Sequence, residues 1–425
     1  MMNKKIFTVL LCLWPILNIY SYQKGGVLGF GDMCILAYMV LAFPFCKMAR
    51  MSRDVKYYFL FAMALLLLSL LDTCVLGDKG DGLGAISSIA RVAFFSVAVI
   101  VYIPKCMDVD YGIRIIKWFT VVNSSIVYLQ ILLYMFLGKI TFLVLPMLPL
   151  ANGQTYSEMY NYLVLHSGRY YFRASGFFME PSHFAQYAIV GILLFLYTRD
   201  GRRNVNDRKS FWIAAFCSGA VILSTSSIGI IFVIAIWLYW CLALLIRRYY
   251  PVNSLRNLLI LMPVCLVVCA YMIGKLNVFA ILLQKLSYTT ITNSQSSFAY
   301  RVSRGFEIFA NFPIREKLFG VGYGNILTYM ESTDNMMEYA VSDYMNSMAY
   351  ILCSAGVVGI ILFIMIFYKV FSKNSFMRIF SMYLLLLTCC SSVVNSGSWM
   401  VFMGIYMTFD QKNTLPELCG GIVDG

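Results

Sequence analysis

Charge is what this sequence has least of. Only 12% of its 425 residues are Asp, Glu, Lys or Arg, where a soluble domain carries about a quarter. Hydrophobic residues make up 60%, and the mean hydropathy is +0.76. That shortage excludes an ordinary water-soluble fold, and no polar stretch is long enough to fold as a soluble domain beside the apolar ones. The 13 cysteines show neither metal-ligand spacing nor a disulfide framework, and they avoid 138–172 and 276–343. The start, MMNKKIFTVLLCLWPILNIYSY, has the layout of a signal peptide but lacks a small-x-small cleavage site. An uncleaved first helix is therefore expected. There is no internal repeat and no low-complexity tract.

What is present is a succession of apolar runs about 17–25 residues long, the length that crosses a bilayer as helix. They fall at roughly 6–22, 27–46, 55–77, 85–104, 115–137, 176–197, 211–227, 229–246, 258–275, 344–367, 379–395 and 397–409. The expected fold is all-α: one polytopic membrane domain over 1–425 with about 12 transmembrane helices. The net charge of +13 does not point to nucleic acid. Most of it sits in alternate loops, such as Lys47, Arg50, Arg53 and Lys56, then Arg199, Arg202, Arg203, Arg208 and Lys209. This is the positive-inside pattern, and it places both termini in the cytoplasm. Two long loops, 138–175 and 276–343, then face outward. The run ITFLVLPMLPL (140–150) is too short to span and carries two prolines, so it reads as a re-entrant or interfacial piece.

The first outer loop returns to the membrane through RYYFRASGFFMEPSHFAQY (169–187). Proline lacks an N–H and suits the first turn of a helix. Either the helix starts at Pro181 with Glu180 as its cap, or it starts near Ser175 and Pro181 kinks it. In both cases Glu180, His183 and Tyr187 lie close to one face. A helix N-terminus attracts anions, and Arg173 just before it adds a guanidinium fork suited to phosphate. Against this stands a plain interfacial belt of Tyr and Arg, with Glu180 a cap and His183 a satisfied buried histidine.

The second outer loop carries SSFAYRVSRGFEIFANFP (296–313). At helical period Phe298, Val302, Phe306 and Phe309 form an apolar stripe, Arg301, Arg304 and Glu307 lie opposite, and Pro313 ends the helix. Its residues up to 317 are mostly basic, and those from 318 to 343 are acidic. The division suggests one part that holds an anion, set against a solvated face of Arg–Glu pairs. GVGYGN (320–325) permits a tight turn and close backbone approach, but without GK[ST] it is no P-loop. Arg91 is placed within a span. A charge there faces a cavity or a partner, or else snorkels outward.

Taken together these pieces resemble the O-antigen polymerase (Wzy) family, within the O-antigen ligase and polymerase superfamily, over roughly residues 170–365. Three motifs carry the resemblance. One is R-x-x-G-x-F-x-E-P-S-x-x-A-x-Y, here Arg173, Gly176, Phe178, Glu180, Pro181, Ser182, Ala185 and Tyr187. The next is S-x-x-x-R … P … G-x-G-x-G-N, here Ser297, Arg301, Pro313, Gly320, Gly322, Gly324 and Asn325. The last is an Asn-led helix with a G-x-x-G pair, here Asn346, Gly356 and Gly359. Ligase-like members often read His-Asn where this chain has Met345–Asn346, which favours a polymerase. Members often read Thr-x-Ser-Arg where this chain has Thr225, Ser226 and Ser227, so that arginine is missing.

The resemblance implies a metal-independent glycosyltransferase without cofactor at the outer face of the bacterial cytoplasmic membrane. It would move a glycan from one polyprenyl-pyrophosphate carrier onto another lipid-linked unit. Arg173, Arg301, Arg304 and Arg91 are then the pyrophosphate candidates. Glu180 is the first candidate for the base and His183 the second, and Tyr187, Tyr323 and Asn325 are candidate sugar ligands. A chain-length regulator and a flippase are candidate partners. The alternatives are an O-antigen ligase, a lipid-linked oligosaccharide flippase and a non-catalytic assembly protein.

Overall fold

The computed structural model describes residues 4–22, 28–45, 52–76, 82–141, 143, 148–150, 173–198, 207–246, 305–332, 345–394 and 396–409. Among them there are helices and only two isolated antiparallel bridges, Tyr20 with Leu150 and Ser21 with Gly29. The helices are α1 (Lys4–Leu17), α2 (Phe30–Ala42), α3 (Arg53–Leu76), α4 (Gly82–Val97), α5 (Val109–Leu137), α6 (Pro181–Leu196), α7 (Arg208–Leu223) and α8 (Ser227–Ile246). They continue with α9 (Gly305–Ala310), α10 (Ile314–Phe319), α11 (Ile326–Ser332), α12 (Ser347–Ile366), α13 (Ser375–Cys390) and α14 (Gly397–Thr408). A π turn, Ala98–Tyr102, carries α4 on into Ile103–Cys106.

Every expected span among the described residues is a helix; 258–275 lies outside them. Length separates these helices. Arg53–Cys74, Ile86–Cys106, Val109–Leu137 and Ser347–Ile366 are long and apolar enough to cross a membrane. Phe30–Ala42, Pro181–Leu196, Ser227–Cys241 and Ser375–Cys390 are apolar but shorter. A helix of 16 residues such as α6 rises only about 24 Å, less than the ~30 Å hydrocarbon core. Among the described residues, then, four helices are long and apolar enough for full crossings. Two of the reversals are Ser-rich, Ser224–Ser227 between α7 and α8 and the Ser391 turn after α13.

Two of the short helices form the centre. All residues of α14, and all of α6 from Phe184 onward, are buried. A helix apolar on every side belongs inside a bundle. Around them α1 lies against α2, α5 and α14, and α3 lies along α12. The outer faces stay apolar, with Leu67, Leu70 and Leu71 on α3 and Leu129, Leu132 and Phe136 on α5 exposed. Such a surface suits lipid and would be a liability in water.

The basic ends of the helices lie together. Arg53 stacks on Tyr368 with its guanidinium 4.6 Å from the ring centroid. Lys5 is 5.8 Å from the Tyr111 ring and Lys117 is 5.1 Å from that of Phe195. Arg378 donates to Tyr239 Oη at 3.1 Å. There Lys369 Nζ meets Asp54 Oδ2 at 2.9 Å, and both side chains are almost fully buried. Lys369 also donates to the Tyr406 carbonyl at 3.0 Å. This ion pair ties α3, the end of α12 and α14 into one floor.

Candidate functional site

At the opposite end, the short helices leave their reversals well inside the bundle. Asn123 stands at the middle of the 29-residue α5, so about 20 Å of that helix continues beyond it. It is Asn123 that receives the R-x-x-G segment. Its Oδ1 accepts from Phe177 N at 2.9 Å, and Gln130 Oε1 accepts from Gly176 N at 2.9 Å. Gly176 sits at φ +64°, and a Cβ there would lie 1.9 Å from Asn123 Oδ1. Only glycine allows both the left-handed backbone and this approach.

Arg173 enters this recess half-buried, and its Nε donates to Thr225 Oγ1 at 3.2 Å. Thr225 is buried in the turn between α7 and α8 and has φ 54°. A β-branched residue in that region is a genuine outlier, costing about 1–3 kcal/mol where the surroundings enforce it. The strain aims the hydroxyl that orients Arg173. Thr225 was legible only as part of a motif lacking its arginine; the anchor is the threonine that remains.

Pro181 is the first residue of α6 and Glu180 its N-cap by backbone position, so the kinked-helix reading falls away. The Glu180 carboxylate does not bond the helix N–H groups. It turns outward, is exposed, and accepts from Ser182 Oγ at 2.9 Å. His183, within the same first turn, is also exposed. Arg173, Glu180 and His183 thus belong to one segment at the mouth of a buried helix.

Tyr187 does not join them. It is 1% exposed, its hydroxyl donates to the Cys12 carbonyl at 3.1 Å, and its ring packs on Phe119 and Phe178. The place expected of a sugar ligand is a core position, because the i+7 step carries it too far down a buried helix.

GVGYGN is likewise an inward-facing element. Helix α12 breaks at Gly356, with φ 62° and ψ −161°. The break frees carbonyls, and Cys353 O and Ser354 O accept from Val321 N at 3.0 Å and Gly322 N at 2.9 Å. Gly320 approaches the backbone of Ser354 while Gly356 approaches that of Leu318. Tyr323 is buried; its N–H donates to Ser69 Oγ at 2.7 Å and its ring meets Tyr350 at 5.0 Å. Burial, and then Tyr350, push its phenol well above the ordinary pKa, against a smaller opposing effect of Arg91. Asn325, also buried, donates to Thr73 Oγ1 at 3.0 Å. Tyr323 and Asn325 therefore clasp the loop to α3 rather than present groups to sugar. Arg315 extends that clasp through Asp72 at 3.6 Å.

Arg91 has a partner. Its Nη2 lies 3.4 Å from Asp32 Oδ2, and Asp32 also accepts from Trp14 Nε1 at 2.8 Å and Asn18 Nδ2 at 2.7 Å. Arg301 and Arg304 lie outside the described residues, as do Phe298 and Val302. The described part of that amphipathic helix follows the expected stripe only in part. Gly305, Ile308 and Phe312 are buried, whereas Phe306 is exposed. Of the expected stripe, Phe309 is partly buried against the core of Ile308 and Phe312 and Phe306 departs from the pattern, while Gly305 packs closely on Ala349 of α12.

One polar thread connects the two regions. Gln186 on α6 donates to Ser391 Oγ at 3.0 Å, and Ser347 at the head of α12 donates to the Ser391 carbonyl at 3.1 Å. Asn346 caps α12 by accepting from Ala349 N at 2.8 Å. The SSVVNSGS reversal, an unpromising place for two crossings to meet, is the joint between the first site and the Asn-led helix. No family model matches the chain, and no curated protein matches it.

Proposed function

We propose that this protein polymerises lipid-linked oligosaccharide repeat units of an O-antigen or capsular polysaccharide. In this reading about twelve helices cross or partly cross a bacterial inner membrane, with the basic ends and both termini cytoplasmic. The observation that carries the proposal is the 173–183 segment, where a fixed arginine, an outward carboxylate and an exposed histidine share the mouth of a buried helix. The acceptor hydroxyl gives its proton to Glu180, with His183 the second candidate. Its oxygen bonds the donor's anomeric carbon as the bond from that carbon to the pyrophosphate oxygen breaks. Arg173 offsets the charge that develops on the leaving polyprenyl pyrophosphate, with Arg301 and Arg304 as further candidates. A membrane recess lets both carriers keep their tails in lipid.

Deleting the gene and resolving the surface polysaccharide on a gel tests this. A ladder collapsed to a single capped repeat is the expected result. Full-length polymer accumulating on its carrier would instead mean a ligase, and repeats trapped on the cytoplasmic side would mean a flippase. In the complemented strain Arg173→Ala abolishes long chains while the protein stays in the membrane. Normal chain length in that variant sinks the site assignment.

A further inference from the structure

Two helices measure the depth of the GVGYGN turn. Helix α12 has 20 residues, about 30 Å of rise, the thickness of the hydrocarbon core. With α12 as a crossing, its break at Gly356, nine residues in from Ser347, lies about 14 Å below its head, near the middle of the bilayer. The tip of α10 is at that level. A Cβ on Gly356 would stand 2.3 Å from the main-chain carbon and oxygen of Leu318, and one on Gly320 would stand as close to those of Ser354. Helix α3 agrees by a separate route. The Tyr323 N–H donates to Ser69 Oγ at 2.7 Å, and Ser69 is five residues inside Cys74, the limit of the apolar stretch Arg53–Cys74, about 8 Å below it.

Irregular backbone at membrane depth must have its polar groups satisfied within the protein. Here the N–H of Gly320 donates to Glu316 O at 2.8 Å, Val321 to Cys353 O at 3.0 Å, Gly322 to Ser354 O at 2.9 Å and Asn325 to Gly322 O at 3.3 Å. The side chains of α10 match the same depth. Ile314, Leu318 and Phe319 are exposed, and beside them, just past the break, Val357 and Val358 of α12 are exposed too. The charges stay off the tip: Arg315 turns to Asp72, two residues from the end of Arg53–Cys74, and Glu316 and Lys317 are half-buried. We propose that α10 and the GVGYGN turn form a re-entrant element. It dips into the bilayer from the end away from the basic floor, and Ile314, Leu318 and Phe319 rest against the acyl chains of that leaflet. The occupant is bilayer phospholipid, because α12 presents Val357 and Val358 to lipid at the same depth. Part of the second long outer loop is then seated in the membrane, whatever reaction the protein performs.

The test is photolabelling of the full-length protein in phosphatidylglycerol nanodiscs that carry a phosphatidylcholine with a diazirine at mid-chain, read by peptide mass spectrometry. Adducts on 314–319 are expected alongside adducts on 357–358. Leu318→Cys and Glu331→Cys, the latter at an exposed carboxylate at the end of α11, are then treated in the same discs with a charged, membrane-impermeant maleimide. Each site is read on its own peptide, so the native cysteines do not interfere. Leu318→Cys should react at least about tenfold more slowly than Glu331→Cys, because a charged reagent is strongly disfavoured in hydrocarbon. Phe319→Cys serves if Leu318→Cys does not fold. Equal reaction at the two sites means that α10 lies in water and overturns the proposal. So does protection from maleimide without acyl-chain adducts, which means that another segment of this chain covers α10. Absence of adducts from both 314–319 and 357–358 overturns it as well, since α12 then does not set the depth.

Discussion

Replacing Gly356 with alanine bears most directly on how the 305–332 segment is held. At φ 62° and ψ −161° the backbone occupies a region that is essentially glycine's alone, where another residue costs about 1–3 kcal/mol. The added Cβ would stand 2.3 Å from both the carbonyl carbon and oxygen of Leu318. Those are main-chain atoms, so no side-chain rotation relieves the contact. The loop must withdraw, and with it go the bonds from Val321 N and Gly322 N to α12, each worth about 0.5–1.5 kcal/mol. The total is a local destabilisation of about 2–6 kcal/mol. It falls on the small core of Ile308, Phe312, Val321, Ile326 and Met330, not on the buried centre around α6 and α14. Gly356→Ala should therefore insert and purify, yet show much faster proteolysis within 305–332 and loss of long polysaccharide chains. Cleavage rates and a denaturation midpoint equal to those of the parent protein would refute the interlock.

Tyr323→Phe removes a buried hydroxyl that has no hydrogen-bond partner among the described residues. It should leave chain length intact and stability unchanged or raised by up to about 1 kcal/mol; loss of polymer would return Tyr323 to the site. The same phenol links folding to alkaline pH. Burial raises its pKa, and that of Tyr329 is raised by burial and then by Glu316. Their contribution to stability is full below the ordinary tyrosine pKa of ~10 and is lost as pH rises beyond it; a denaturation series through that range should be flatter in Tyr323→Phe. Lys369→Met strands Asp54 in the floor and should cost about 3–5 kcal/mol, whereas Lys369→Met with Asp54→Leu should recover most of it; thermal stability in detergent reads both. Arg173→Lys keeps the charge but loses the fork held by Thr225, so it should shorten chains less than Arg173→Ala and more than the parent.

Periodicity and composition alone determined the helical class and the alternation of basic ends, and they narrowed the start of α6 to Pro181 or near Ser175. These follow from local causes: apolar runs of a set length, a proline without an N–H and charges that stay in water. Depth and partnership are non-local, and only the tertiary structure decided them. The wheel put Tyr187 beside Glu180 without showing that α6 is buried on every side from Phe184 onward. The glycines of 320–324 announced close approach but not what they approach, a carbonyl set freed 30 residues later in α12. Arg91 and Arg315 were legible as charges, while their partners Asp32 and Asp72 come from other helices. Thr225 became the orienting group for Arg173 only when two short helices brought their ends to one level. A pair formed across the bundle leaves no period in the sequence, because its spacing is set by packing rather than by helix pitch.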